Sequence, residues 1–168
     1  MSNEFPVIFG NTWIGYFMGI AEAVSVKSKD PSTQVGAIIV GEDHQIVSTG
    51  YNGFPRGVID RPRDSADPEL RFQRPYKYHY TAHAEANAIF QAARHGIRTL
   101  GCHIVVSSMP PCAECAKAII QAGIVAVYCY PADQNKPSYA RWAESYVAAD
   151  IMFTEAKVTV TYAGGAAR

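Results

Sequence analysis

The sequence has 168 residues, of which 48% are hydrophobic and 18% are charged. This length and composition are typical of a folded globular protein, and we expect residues 1–168 to form a single domain. Fifteen basic and fifteen acidic side chains balance each other, which argues against a long nucleic acid as partner, because proteins that bind one carry excess positive charge. No secretion signal and no run of about 18 apolar residues is present, so we expect a cytoplasmic protein with no membrane partner.

Helices and strands alternate along the predicted secondary structure. After Asn11 and Thr12, whose side-chain oxygens could cap a helix, apolar residues recur at intervals of three and four. In chain order, the predicted elements are a helix at 11–26, strands at 34–40 and 45–51, a helix at 82–94, a strand at 103–107, a helix at 110–123, a strand at 124–130, a helix at 138–155 and a strand at 157–162. The first two strands form a hairpin. Because strands separated by helices usually pair in parallel, this order predicts a three-layer α/β/α sandwich with a mixed five-stranded sheet.

The segment 52–80 lacks apolar periodicity and contains Pro55, Pro62, Pro68 and Pro75. Loops of this length are uncommon unless they bind ligands or act as lids. We therefore interpret 52–80 as a long substrate or effector loop. Residues 163–168 are predicted to form a loose tail.

Two predicted helix starts carry residues that can bind a metal. One start has His83 and Glu85 in a His-x-Glu pattern, and the other has Cys112 and Cys115 in a Pro-Cys-x-x-Cys pattern. Residues three apart are neighbours on a helix, so the two sulfurs can converge. One His and two Cys leave the fourth tetrahedral position of a zinc ion open, which is typical of a catalytic site. Glu85 does not share a helical face with His83, so we expect it to transfer protons rather than to bind the metal.

Each half of this pattern also has a simpler interpretation. Cys112 and Cys115 could be a redox pair or core cysteines, and Glu85 could be an acid that only favours a helix N-terminus. The two halves together, however, are a known signature of zinc-dependent base deaminases. Cys102 and Cys129, in or beside apolar strands, are expected to be small buried hydrophobes.

The residues around the two motifs resemble the deoxycytidylate deaminase family. The matching segments, within about residues 13–160, are KDPSTQVGA at 29–37, GYNGFPRG at 50–57, YTAHAEANAI at 80–89, PPCAECAKAI at 110–119 and QNKP at 134–137. The resemblance implies hydrolysis of dCMP to dUMP on a cytidine deaminase-like fold with one catalytic zinc per subunit. The roles that it implies are zinc binding by His83, Cys112 and Cys115, proton transfer by Glu85, a contact of the Ala84 backbone amide with the base carbonyl, and a contact of Asn52 with the deoxyribose. Asn52 could alternatively be only a turn residue.

The resemblance also implies regulation by nucleotides. Members of the family are typically hexamers that dCTP activates and dTTP inhibits, and Mg²⁺ would accompany a bound triphosphate. The residues implied at this second site are Asn52, Gly53, Phe54, Arg56 and Gly57. Arg94 is a candidate for a phosphate or intersubunit contact. Further phosphate candidates in the long loop, which could equally be solvated charges, are Arg61, Arg63, Arg71 and Arg74.

The sequence leaves two other functions open. A deaminase with the same zinc chemistry could act on adenosine in tRNA or on a free base, although the neutral charge argues against RNA. A non-catalytic regulator that binds zinc or nucleotides could also share the fold.

Overall fold

The computed structural model describes residues 9–60 and 71–164, which build a five-stranded sheet with helices around it. The helices are α1 (Asn11–Ser25), α2 (Lys77–Tyr80), α3 (Ala84–Arg94), α4 (Ala113–Gln121) and α5 (Pro137–Glu155), and the strands are β1 (Gly36–Val40), β2 (Ile46–Tyr51), β3 (His103–Val106), β4 (Ala126–Cys129) and β5 (Thr159–Tyr162). Within these described residues, no helix is both long and apolar enough to span a membrane.

The sheet has the strand order β2-β1-β3-β4-β5. β1 pairs antiparallel with β2, with Gly36 opposite Tyr51, and antiparallel with β3 on its other side. β3, β4 and β5 pair in parallel, since a helix connects each of these strands to the next. The mixed five-stranded sheet that the order of elements predicts is therefore confirmed.

Alternate residues of β1 enter two separate hydrophobic cores. Ile38 and Val40 pack on one face of the sheet with Phe17 of α1. Ala37 and Ile39 pack on the other face, in a core that also includes residues of α3, α4 and α5. Because successive strand residues point to opposite faces, β1 contacts a helical layer on each side, and all its residues are buried. The molecule is thus the predicted three-layer sandwich.

Two helix starts differ from the sequence prediction. α1 has Gly10 as its N-cap and no side-chain cap, because Asn11 and Thr12 are already inside the helix. α4 has Cys112 as its N-cap. The two prolines at 110–111 therefore precede the helix instead of opening it.

The segment predicted as a loop, 52–80, contains the one-turn helix α2 near its end. Positions 61–70 of this loop lie outside the described residues. In the predicted tail, the Ala163 amide donates a hydrogen bond to the Cys129 carbonyl at 2.8 Å and so continues the pairing of β5 with β4. Residues 165–168 lie outside the described residues.

Candidate active site

The predicted metal ligands lie together at the N-termini of α3 and α4. His83 is the N-cap of α3, Cys112 is the N-cap of α4, and Cys115 lies in the first turn of α4. His83 Nδ1 is 3.5 Å from Cys112 Sγ and 3.4 Å from Cys115 Sγ. The three ligand atoms all lie within 4.8 Å of one another. Two helices that follow different strands therefore supply one compact donor cluster.

The size and chemistry of this cluster fit a zinc ion. Zn–N bonds of about 2.0–2.1 Å and Zn–S bonds of about 2.3 Å at a tetrahedral centre place adjacent nitrogen and sulfur atoms about 3.6 Å apart. The two measured distances from His83 Nδ1, 3.5 and 3.4 Å, agree with that separation. A set of one imidazole and two thiols leaves the fourth position to water or substrate.

Hydrogen bonds inside the cluster distinguish its two cysteines. The pKa of Cys112 is lowered to about 4 because its sulfur accepts hydrogen bonds from the Cys115 thiol and the His83 ring. The pKa of Cys115 is raised because its thiol donates to Cys112 and is buried. The hydrogen bond with Cys112 also raises the pKa of His83. The lowered pKa of Cys112 favours its thiolate, which is the form of cysteine that binds metals.

Glu85 lies beside this cluster, on the wall of a cavity. The residue is 6% exposed, and burial raises the pKa of its carboxyl. His83, Ala84, Glu85 and Cys112 all line the cavity, which has a volume of about 430 Å³. Clefts that bind small molecules commonly measure about 300–1,000 Å³. A carboxyl in this position can exchange protons with a small substrate bound next to the metal site.

Comparison with known proteins identifies the family. The family model for the cytidine and deoxycytidylate deaminase zinc-binding region matches residues 11–131. The chain belongs to this family. Over 150 residues it is 45% identical to an uncharacterized deaminase of Aliivibrio fischeri, a match that covers 89% of this chain and 92% of that protein. It is also 41% identical over 150 residues to the deoxycytidylate deaminase of Mus musculus, covering 88% of this chain and 77% of that protein.

A solved structure shares the fold of this deaminase. The dCMP deaminase from the cyanophage S-TIM5, in complex with dCMP and dUMP, matches with a TM-score of 0.67 at 23% identity, covering 92% of this chain and 99% of that one. This likeness confirms the predicted cytidine deaminase-like architecture. The family model and the sequence relatives confirm the prediction that the chain is a deaminase enzyme.

Asn52 lines the active-site cavity of the deaminase, but its side chain is bonded to the backbone of a neighbouring segment. Its Oδ1 accepts a hydrogen bond from the Val35 amide at 2.8 Å, and its Nδ2 donates to the Thr33 carbonyl at 2.9 Å. Asn52 therefore fixes the segment before β1 against the end of β2. A contact with a sugar would have to use the second lone pair of Oδ1 or the second hydrogen of Nδ2.

Two aromatic residues of α5 that were not predicted as site residues also line the cavity. The Trp142 ring lies edge-on to the His83 ring, with 5.9 Å between the centroids. The Tyr146 hydroxyl donates to Met109 Sδ at 3.7 Å, and burial raises the pKa of Tyr146 to about 12. Their spacing of four places both on one face of a predicted helix, but spacing alone does not show which face covers the site.

A buried ion pair forms a further part of the cavity wall that the sequence analysis missed. Lys77 Nζ lies 2.7 Å from Asp30 Oδ2 and donates a hydrogen bond to Ser32 Oγ at 2.8 Å. Although burial alone would raise it, the pKa of Asp30 is lowered by its hydrogen bonds with Lys77 and Ser32. One sequence feature could have indicated Asp30 as a site residue: it belongs to the segment 29–37, which is one of the segments that carry the family resemblance.

The residues predicted for an effector site divide between two cavities. A second cavity of about 780 Å³ lies between β2 and α3, and the predicted residues that line it are Gly53, Phe54, Arg56 and Arg94. Asn52 lines the active-site cavity instead, and Gly57 lines neither cavity. The structure thus brings Arg94 to the segment 53–56, whereas the neighbouring Asn52 lines the other cavity.

The four loop arginines have different positions. Arg74 lines the active-site cavity. The Arg71 guanidinium lies 5.6 Å from the centre of the Tyr80 ring. Arg61 and Arg63 lie outside the described residues.

Proposed function

We propose that this deaminase hydrolyses dCMP to dUMP and ammonia with one catalytic zinc ion. The observation that carries the proposal is the convergence of His83, Cys112 and Cys115 into one donor cluster, with His83, Cys112 and the buried Glu85 lining the same cavity. The substrate is proposed because the Mus musculus relative, which aligns with 88% of this chain, is a deoxycytidylate deaminase.

The three ligands are held in place by their surroundings. The helical turn that begins α4 fixes the spacing of Cys112 and Cys115, and the ring of Trp142 restricts the ring of His83. When bound, zinc supplies Lewis acidity that lowers the pKa of water to about 7.

Glu85 moves the protons of the reaction. Its carboxylate accepts a proton from the attacking water, whose oxygen bonds to the cytosine carbon that bears the amino group. The carboxyl then donates a proton to the adjacent ring nitrogen, and a further transfer to the amino group lets the C–N bond break and ammonia leave. Because Glu85 is not part of the ligand cluster, it is free to shuttle protons.

Two further contacts are proposed from the family resemblance. The Ala84 amide, one of the N–H groups at the start of α3 that have no intrahelical acceptor, would donate to the base carbonyl. Asn52 would contact the deoxyribose. Five further expectations stay predictions. They are regulation by dCTP and dTTP, binding of Mg²⁺ with a triphosphate, assembly into a hexamer, a cytoplasmic location and a single domain over residues 1–168.

A substrate panel tests the proposed activity. Ammonia release by the zinc-loaded protein should give the highest kcat/KM with dCMP among dCMP, CMP, deoxycytidine, guanine and tRNA. A higher value for guanine or tRNA would instead support one of the other deaminase functions. Repeating the dCMP assay with dCTP or dTTP tests the predicted regulation.

Glu85→Gln tests the mechanism, because it removes the proton carrier and keeps the size of the side chain. We expect kcat to fall about 10²–10⁴-fold while zinc content, measured by inductively coupled plasma mass spectrometry, stays at one ion per chain. Glu114→Gln is the matched control, because Glu114 occupies the same second position in α4 and its side chain is 82% exposed. Equal activity of Glu85→Gln and the parent would favour a non-catalytic zinc protein.

A further inference from the structure

One face of α5 contacts both of the helix starts that carry the metal cluster. The Trp142 ring lies edge-on to the ring of His83, the N-cap of α3, with 5.9 Å between the centroids. Ser145 Oγ accepts a hydrogen bond from the amide of Ala113, the first residue of α4, at 2.9 Å. Because Trp142 and Ser145 are three residues apart, they are neighbours on the helix surface. A single helix face therefore contacts both parts of the donor cluster.

The Ala113 amide has no acceptor within its own helix, because it is one of the first N–H groups of α4. An N-cap side chain accepts from the second or third residue of a helix. Cys112, the N-cap of α4, is therefore not placed to accept from Ala113, and its sulfur belongs to the metal cluster. Ser145, which is 32 positions away in the sequence, supplies the acceptor. The start of α4 thus depends on another helix for this hydrogen bond.

This hydrogen bond holds the peptide group that joins Cys112 to Ala113. The N–H of that group donates to Ser145, and its C=O, which belongs to Cys112, accepts from the Ala116 amide at 2.8 Å. A peptide group is planar, so hydrogen bonds at both ends fix the orientation of the whole plane. The fixed plane limits rotation about the Cα atom of Cys112 and therefore the direction in which its sulfur points. Ser145 can thus orient a metal ligand although it is not one of the three ligands.

Other side chains of α5 contact the segments that lead into the two helices. The Trp142 ring also lies edge-on to the ring of Tyr78 in α2, which precedes α3, with 5.9 Å between the centroids. The Tyr146 hydroxyl donates to Met109 Sδ, in the segment before α4, at 3.7 Å. These contacts hold the approach to each helix, whereas the bond to Ser145 lies inside the ligand-bearing turn itself.

We propose that Ser145 is a positioning residue of the metal centre, which fixes the turn of Cys112 and Cys115 relative to His83. This inference deepens the proposed function and rests on its zinc cluster. Since α5 contacts His83 through Trp142 and the start of α4 through Ser145, the helix acts as a spacer between the nitrogen donor and the sulfur donors. Removal of the hydroxyl keeps all three ligands but releases the peptide group that orients Cys112. Changes of residues that hold metal ligands typically weaken metal binding or activity about 10–100-fold.

Zinc affinity tests this inference without depending on turnover. The zinc-loaded protein is equilibrated with increasing concentrations of a chromophoric chelator, and the zinc Kd follows from the chelator absorbance. We expect this Kd to rise about tenfold or more in Ser145→Ala and in Ser145→Val, because both variants lack the acceptor. Ser145→Thr has nearly the shape of Ser145→Val but keeps a hydroxyl that can accept, so its Kd should stay within about threefold of the parent's.

The Co²⁺-loaded protein gives a second readout, because the visible absorption of Co²⁺ depends on the geometry of its ligands. The spectrum should change in Ser145→Ala and Ser145→Val and match the parent's in Ser145→Thr. A loss of overall stability alone would leave the spectrum of the folded protein unchanged. Ser25→Ala is the matched control, since it removes a helical hydroxyl that donates to the Glu22 carbonyl within α1 at 2.7 Å. It should keep the parent's zinc Kd and spectrum.

The outcomes separate the role of Ser145 from the proposed activity. The inference is overturned if Ser145→Ala and Ser145→Val bind zinc as tightly as the parent, or if Ser145→Thr loses as much affinity as Ser145→Val. If Ser145→Ala does not fold, the comparison of Ser145→Thr with Ser145→Val decides. A parent whose zinc affinity depends on the hydroxyl but which releases no ammonia from dCMP contradicts the proposed function and supports the positioning role. A parent that binds no zinc contradicts both.

Discussion

Asp30 and Lys77 form an ion pair that connects the segment before β1 to α2. Both side chains are almost fully buried, and the pair is completed by a hydrogen bond from Lys77 to Ser32. Removing one charge from a buried pair leaves the other charge in the interior without a partner, which costs far more than breaking an exposed pair. The two residues therefore contribute to stability as a unit.

Asp30→Asn is expected to lower the free energy of unfolding by about 3–5 kcal/mol, because the Lys77 ammonium stays buried without its carboxylate. Urea unfolding followed by circular dichroism measures the loss. Asp60→Asn is the matched control: it breaks the exposed Lys29–Asp60 pair, whose side chains are 57% and 37% exposed, and should cost less than about 1 kcal/mol. Similar losses in the two variants would show that the buried pair has no special role.

His103 is a buried histidine in the core that α1 covers. The residue is 1% exposed, its ring centroid lies 4.4 Å from that of Phe9, and its Nδ1 lies 3.4 Å from the Tyr128 hydroxyl. Burial, with a smaller contribution from the charge of His44, lowers the pKa of His103 to about 4. His103 is therefore neutral in the folded protein at neutral pH.

This shift predicts that stability falls in mild acid. The unfolded chain protonates His103 near its ordinary pKa of about 6.5, whereas the folded chain does so only near 4, so unfolding takes up a proton between these values. The free energy of unfolding should therefore fall by about 2 kcal/mol through this residue between pH 8 and pH 5. Urea unfolding at both values should show a smaller pH dependence for His103→Gln than for the parent. His95→Gln, which changes an exposed histidine, should keep the parent's dependence.

At the scale of elements, the packing of β2 against α3 depends on Gly50. A Cβ atom at this position would overlap the Ala88 amide nitrogen and the Ala84 carbonyl oxygen and lie 2.8 Å from Ala88 Cα. These are backbone atoms, so rotation of a side chain cannot relieve the overlap. Any side chain at position 50 must displace α3, which carries Glu85.

Gly50→Ala should therefore lower the free energy of unfolding by about 1–3 kcal/mol and also reduce kcat, because α3 shifts relative to α4. Thermal unfolding and the ammonia assay measure the two effects. Gly53→Ala is the control, since a Cβ there meets no atom closer than 3.9 Å and the backbone is not left-handed. A fully stable and active Gly50→Ala protein would mean that β2 and α3 can separate at little cost.

The elements differ in how far the sequence predicts them. α5 and the hairpin of β1 and β2 follow from residue periodicity and a short turn, both of which are local properties. α2 does not, because one helical turn next to prolines has no periodicity to detect, and its formation depends on contacts such as the pair of Lys77 with Asp30.

At the scale of the whole molecule, the metal site joins two helices that are distant in sequence. His83 belongs to the start of α3, whereas Cys112 and Cys115 belong to the start of α4. A zinc ion bound by the folded chain only should stabilise the entire structure by mass action.

Zinc at a free concentration of 100 times its Kd should add about 2.7 kcal/mol to the free energy of unfolding, which corresponds to about 5–10 °C in Tm for a chain of this size. Differential scanning calorimetry with zinc and with a chelator measures this shift. Cys112→Ser should abolish the shift, and Cys102→Ser, which changes a buried cysteine outside the ligand cluster, should keep it. A shift that survives in Cys112→Ser would place the zinc elsewhere.

The sequence by itself predicted the layered fold and the order of every element except α2, and it selected His83, Glu85, Cys112 and Cys115 as candidate site residues. It could do so because periodicity is local and because metal chemistry requires particular side chains at particular spacings. Only the tertiary structure decided that a face of α5 covers the site, that Lys77 is neutralised by Asp30, and that Asn52 and Arg56 line different cavities. The physical reason is that the sequence separation between two residues decides whether they are neighbours on one helix. Contacts between residues of different elements depend instead on how the layers pack.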